Sequence, residues 1–436
     1  MRRYYQQGMS RLKKLTSISL LLIISSGWTV QSLADGVTLA RSTPESVGMS
    51  SVRLDRLSAG MQALIDDGRL AGITTMIARH GKVIHFETYG HQDVAAGTAM
   101  AEDSIFRIYS MSKPITGVAL MMLYEEGMFR LSDPVEKYIP SFKGLAVATG
   151  EDENGITTEP ADHPMTIREL MSHTSGLSYG IFSQSPVDTK YREANMMAPG
   201  STLQDMIDKM SGIPLRQQPG TIWHYSLSVD VQGYLVEVLS GKRFDEFLQE
   251  RIFTPLSMVD TGFFVPPGAV NRFAAVYTYD DEGKLTAPPQ NDARRAYLDP
   301  PTFLSGGGGL VSTSTDYMRF CQMLLNGGEL DGVRLLAPLT VELMHRNQLP
   351  LDYPEMSPGS GMGFGLDFAV VMDPVAADAI SKGEYYWGGA AGTWFWIDPR
   401  ENLVFVGMIQ QFGQGRPDVR SLSRRLTYQA ILEPLR

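Results

Sequence analysis

One cysteine, Cys321, is all that 436 residues contain, so no intrachain disulfide exists and the fold must stand on its core. It falls in YMRFCQMLL, where Tyr317, Phe320, Cys321, Leu324 and Leu325 share a helix face; that spacing makes it a core thiol rather than a nucleophile. Positive charge is also scarce. The formal net charge is −10, and the first 34 residues carry five basic side chains (Arg2, Arg3, Arg11, Lys13, Lys14) and no acid, which leaves −15 on the remainder. Such a surface repels phosphate backbones and excludes nucleic acid as a partner. Long apolar runs are missing too. The one sustained stretch, LTSISLLLIISSGWTV, is too short for a membrane span. No internal repeat and no low-complexity linker follows it.

What is present begins with that leader. A basic start, the apolar stretch and then QSLA, with Ser32 and Ala34 as small residues, read as a signal peptide over 1–34 cut after Ala34, with Met1 or Met9 as the true start. The protein is therefore expected in a bacterial periplasm or outside the cell, touching a membrane only if the leader stays uncleaved. The remaining 35–436 has ordinary globular composition. SSVRLDRLSAGMQALIDDG places Leu54, Leu57, Met61, Leu64 and Ile65 on one helix face, and GITTMIAR with KVIHFETYG reads as a hairpin through His80-Gly81. Near the other end, TWFWIDPRENLVFVGMIQQF is a second hairpin turning at Pro399 to Asn402, followed by a helical tail from about Pro417. The predicted fold is α/β (α+β): an antiparallel sheet flanked by N- and C-terminal helices, built from about 35–105 and 300–436. A mainly helical region with long polar loops, such as GEDENGITTEPADHP, is inserted at about 106–300. A cleft between the two parts is the natural place for a site.

Two serines compete for the chemistry. Gly176-Leu177-Ser178-Tyr179-Gly180 matches the G-x-S-x-G elbow, which requires a strand before it. The preceding HPMTIRELMSHTSG instead shows a capping box, Thr166 with Glu169, and Ile167, Leu170 and Met171 at helical spacing; Gly176 then suits a helix end and His173 its last carbonyls. Ser178 is therefore not expected to be the nucleophile. In FRIYSMSKPITGVALMMLYEEG, Ser110 precedes Lys113 by three residues at the start of a helix whose buried face is Ile115, Val118, Ala119, Met122 and Leu123. Lysine and serine are neighbours at that spacing, and an apolar helix start supplies the desolvation that turns an amine into a base. Alone, S-x-x-K is a weak signal, as Ser10 to Lys13 in the leader illustrates. His85, Glu87 and His91 lack metal-site spacing, and Gly306 to Gly309 lacks the Lys-Ser/Thr of a phosphate loop; no metal and no cofactor is implied.

From about residue 45 onward the chain resembles the serine β-lactamase and penicillin-binding-protein superfamily, in its class C-like branch, closest in motifs to the family VIII carboxylesterases. The resemblance rests on YSMSKPIT, LSDPVEKYIP, MTIRELMSHTSGL, QPGTIWHYS, GGGGLVSTSTDYMRF and YYWGGAAGTWFWIDP, in that order. It implies Ser110 as nucleophile of an acyl-enzyme mechanism, Lys113 beside it, and Tyr225 completing a proton relay, rather than His224 or His345. It further implies backbone N–H groups of Ser110 and Ala390 as the oxyanion hole, and Trp387, Gly388 and Gly389 as the strand edge against which a small ester or lactam lies. Where β-lactamases begin that edge with lysine or histidine this chain has Trp387, and Leu227 stands where they tend to carry asparagine. Both changes resemble the esterase branch and imply cleavage of short esters; the alternatives are a β-lactamase, a D-alanyl-D-alanine carboxypeptidase, or a non-catalytic penicillin-binding-like sensor.

Overall fold

Alternation of side chains across two buried faces organises the molecule. A computed structural model describes residues 38–153, 155–287, 297–349 and 361–435. The expected leader and its cut after Ala34 lie outside the described residues. The main sheet contains β1 (Gly72–Arg79), β2 (Lys82–Asp93), β3 (Thr98–Ala99), β4 (Met362–Phe364), β5 (Ala369–Val371), β6 (Tyr385–Gly388), β7 (Trp394–Asp398) and β8 (Leu403–Met408). Its order is β4-β5-β6-β7-β8-β1-β2-β3, antiparallel throughout. The β1–β2 turn is His80-Gly81, both at positive φ (53° and 71°).

The period of two is visible in what each face touches. Ile73, Ile77, Trp394, Trp396 and Phe405 pack with α1 (Ser51–Asp66) and the C-terminal α5 (Val419–Tyr428). Met76, Ala78, Phe395, Ile397, Val404 and Val406 face the larger core, which contains α2 (Ser112–Glu125), α3 (Ser228–Ser240) and α4 (Ser314–Leu325). Caps fix several helix starts: Ser50 accepts from Arg53 N–H before α1, Thr313 from Asp316 N–H before α4, and Asp418 from Ser421 N–H before α5. Cys321 is fully buried on α4, and burial pushes its thiol well above the ordinary value.

Two local expectations need correction. The polar GEDENGITTEPADHP is not a loop throughout: Val147–Asp152 and Gly155–Glu159 pair as an antiparallel hairpin of largely exposed residues. The capping box at Thr166 and Glu169 forms, yet its helix is only Ile167–Met171, so His173 (φ 57°) rather than Gly176 takes the left-handed position nearest its end. Gly176 is also left-handed (φ 86°), and a Cβ there would stand 2.5 Å from the Gln217 carbonyl oxygen. His173 does not reach the helix-end carbonyls with its ring; its Nδ1 faces Ser226 Oγ at 3.2 Å and the Ser226 N–H at 3.3 Å.

Candidate active site

Ser110 lies in the 3-10 turn Tyr109–Met111, which runs straight into α2. Tyr109 adopts φ 44°, a conformation that costs a bulky residue roughly 1–3 kcal/mol and persists only where the surroundings impose it. Here its ring is held edge-on by Tyr297 and Phe412, with centroids 6.3 and 5.4 Å away. Met111 N–H bonds to Ile108 O, and Tyr317 of α4 donates its hydroxyl to Met111 O at 2.9 Å. The serine is thus carried on a turn pinned from both sides.

One turn of chain later, Lys113 is fully buried, and its three ammonium hydrogens face three acceptors: Gly307 O at 2.6 Å, Tyr179 OH at 3.0 Å and Ser110 Oγ at 3.4 Å. Its Nζ stands 4.6 Å from the centroid of the Tyr225 ring. The expectation that the apolar helix start lowers the pKa of Lys113 is corrected. Burial does push the amine down, but Tyr179, Tyr225 and Asp230 outweigh it and hold Lys113 above its ordinary value, as an ammonium. The polyglycine run makes this contact possible, since a Cβ on Gly306 would stand 2.6 Å from Val229 O and one on Gly307 2.5 Å from Asp230 Oδ2.

Tyr225 sits among aromatic rings, with Trp223 stacked at 6.1 Å, Trp387 at 5.4 Å and Tyr179 at 5.4 Å, and it accepts a hydrogen bond from Trp387 Nε1 at 3.3 Å. Trp387 and Gly388 end β6. Among the described residues β5 pairs with β6 only at Tyr385 and Tyr386, so beyond them that side of the strand is open. Gly389 continues from it against the Ile108 carbonyl, which a Cβ there would approach to 2.4 Å, and Arg416 donates to Ala390 O at 2.8 Å. Ser110, Lys113, Tyr225 and Trp387 therefore form one chain of contacts, with Gly388 next to Trp387 at the end of β6 and Gly389 against Ile108, two residues before Ser110.

Ser178 belongs to a different arrangement. It is fully buried, donates to the Asp188 carboxylate and stands 3.2 Å from His224 Nε2, while Arg216 occupies the other imidazole nitrogen at 3.0 Å. The acid touches the serine rather than the histidine, and burial with Arg216 lowers His224 to about 4, so this is no nucleophile–base–acid chain. His345 is elsewhere, stacked on Tyr385 at 4.5 Å. Two polar residues at the site escaped the sequence reading. Tyr179 lay inside the motif that was tested for its serine, and Asp230 is five residues beyond Tyr225 on a helix that reads as apolar.

Comparison with known proteins agrees with this architecture. The profile of the Beta-lactamase family matches residues 57–429. Protein Rv1367c of Mycobacterium tuberculosis is 34% identical over 372 residues, covering 82% of this chain and 90% of the relative. Esterase EstB of Burkholderia gladioli is 29% identical over 378 residues, covering 82% and 91%. Among solved structures, EstCE1, described as a hydrolase with promiscuous acyltransferase activity, superposes with a TM-score of 0.73 at 26% identity, covering 88% of this chain and 99% of that one.

Proposed function

From its membership of the beta-lactamase family, to which the chain belongs on the match over residues 57–429 and the 34% identical relative, we propose that it is a secreted or periplasmic serine hydrolase of short carboxylic esters. The observation that carries this reading is the contact of the buried Lys113 Nζ with Ser110 Oγ on one side and two tyrosines on the other. Ser110 Oγ attacks the ester carbonyl carbon while its proton passes into the relay of Lys113, Tyr225 and Tyr179. The carbonyl electron pair moves to oxygen, where the N–H groups of Ser110 and Ala390 receive it. Collapse expels the alcohol, which takes up the proton, and water then attacks the acyl-serine by the same route. Because Lys113 rests as an ammonium, the competent form gains population as pH rises, and activity increases into the alkaline range.

Trp387 favours an ester over a lactam. A ring and one indole donor, already directed at Tyr225, offer nothing to a substrate carboxylate. The likeness to EstB and to EstCE1 supports ester chemistry by analogy. The test is labelling of Ser110 with a fluorophosphonate together with turnover of p-nitrophenyl butyrate and of a chromogenic cephalosporin. Labelling with fast ester turnover is expected. No labelling would remove the catalytic reading, labelling without turnover would indicate a sensor, and faster cephalosporin turnover would indicate a β-lactamase.

A further inference from the structure

Asp230 projects from the first turn of α3 into the far side of the lysine site. The Gly307 peptide joins the two: its carbonyl accepts from Lys113 Nζ at 2.6 Å, and its N–H donates to Asp230 Oδ1 at 3.1 Å. Ser305 Oγ donates to the same oxygen at 2.5 Å. Asp230 Oδ2 is buried without a hydrogen-bond partner, so the link from this carboxyl to Lys113 runs through the Gly307 peptide, and the cation on the far side of that peptide is what offsets the cost of a buried charge here. We propose that Asp230 is the counter-ion that keeps Lys113 protonated in the resting enzyme and so sets the pH at which the relay can accept the Ser110 proton. The second half of this rests on the proposed hydrolase reading; the first does not.

The other groups around Lys113 do not fill that role. Tyr179 accepts from the ammonium at 3.0 Å and Tyr225 stands with its ring centroid 4.6 Å from Nζ, but neither brings a carboxylate to the site. Burial raises Tyr179, which keeps it neutral. His173, pushed well below its ordinary value by burial and by Lys113, is also uncharged. Asp367 is the one competing carboxyl. It abuts Gly117, one turn further along α2, and has a single donor, Gln232 Nε2 at 3.0 Å, on Oδ1; burial drives it well above the carboxylate range, so it is a neutral acid. Asp230 is raised by burial as well, but Lys113, Ser305 and the Gly307 N–H pull against that, which is the pattern of a buried pair stabilising each other. Asp230 is thus a positioning residue, acting on the substrate only through Lys113.

The experiment titrates Lys113 directly. Full-length mature protein is labelled with 13Cε-lysine, and the Lys113 resonance is assigned by its loss in Lys113→Arg. In the wild type the resonance is expected to stay that of an ammonium to the alkaline limit of the fold; a Lys113 that is a neutral amine near neutral pH overturns the proposal without any variant at Asp230. In Asp230→Asn the titration should fall by about 1–3 pH units, the usual effect of removing a nearby opposite charge, whereas Asp367→Asn should leave it in place. The acid limb of kcat/KM should move with Lys113 in Asp230→Asn, raising the fraction of maximal rate retained at low pH by about tenfold or more. An unmoved Lys113 in a folded Asp230→Asn overturns the proposal, as does an equal movement in Asp367→Asn. If Lys113 moves while the rate limb does not, the counter-ion assignment holds and the reading of Lys113 as proton acceptor fails.

Discussion

Replacing Gly389 by alanine should separate activity from folding, because the methyl group would press on the backbone that carries Ser110. A Cβ at Gly389 would stand 2.4 Å from the Ile108 carbonyl oxygen and 2.1 Å from Thr393 Oγ1. Ordinary contact begins near 3.4 Å, so the Ile108 carbonyl must retreat by 1.0 Å, the difference between 3.4 and 2.4. Thr393 cannot absorb the strain by rotating freely, since its hydroxyl donates to that same Ile108 oxygen at 3.2 Å. Ile108 is two residues from Ser110, and displacing a reacting group by about 1 Å costs roughly 10²-fold in rate. Overpacking of this kind costs stability about 1–3 kcal/mol. Gly388→Ala is the contrast: its Cβ would meet the Arg420 guanidinium at 2.2 Å, the far end of a side chain, and the Tyr109–Met111 turn is not the obstacle. The expected result is a folded Gly389→Ala whose kcat on p-nitrophenyl butyrate falls about a hundredfold, while Gly388→Ala loses stability but keeps kcat within several-fold. A folded Gly389→Ala with wild-type kcat would show that the Gly389 contact does not position Ser110.

Ser110→Ala should abolish ester turnover, and Lys113→Ala should cost about 10²–10⁴-fold in acylation, the usual loss of a positioned proton acceptor. Ser178→Ala should keep most of kcat with a lower unfolding temperature, because Asp188 loses one of its hydroxyl donors; loss of activity in a folded Ser178→Ala, with Ser110→Ala active, would reverse the roles. Efficiency on short p-nitrophenyl esters should exceed that on cephalosporins by several decades, since a missing charge-assisted contact is worth about 1.5–3 kcal/mol and Leu227 removes another polar contact; parity between the substrates would refute this. Asp316, pushed up to about 7 by burial, stabilises the fold most fully below the ordinary carboxylate range, and that contribution is lost as pH rises through about 7. Urea unfolding should therefore show the wild type losing on the order of 3 kcal/mol between pH 4 and 8 relative to Asp316→Asn, and parallel pH profiles would count against the buried carboxyl.

The parts of this protein that were legible in its sequence are those in which local pattern and burial coincide. The two terminal hairpins and α1 announce themselves because β-branched and aromatic residues alternate or recur at helical spacing, and their apolar sides meet a core in the structure. The hairpin at Val147–Glu159 was illegible for the complementary reason: it pairs mostly with itself, so polar residues serve and no apolar alternation records it. At the site, Ser110 and Lys113 are close in sequence and readable, whereas the charge of Lys113 is decided by residues brought from elsewhere. The apolar face of α2 predicts desolvation, which favours a neutral amine, and that force does operate. It is overcome by Tyr179 and by Asp230, which reaches the amine across a glycine peptide that only the folded chain brings into place. A helix-face analysis cannot anticipate this, because Asp230 stands on a helix face that is otherwise buried and would be scored there as an error in the apolar pattern. A lone acid on a buried helix face, with Gly-Gly-Gly-Gly elsewhere to admit a close approach, is the signal such a site leaves in a sequence.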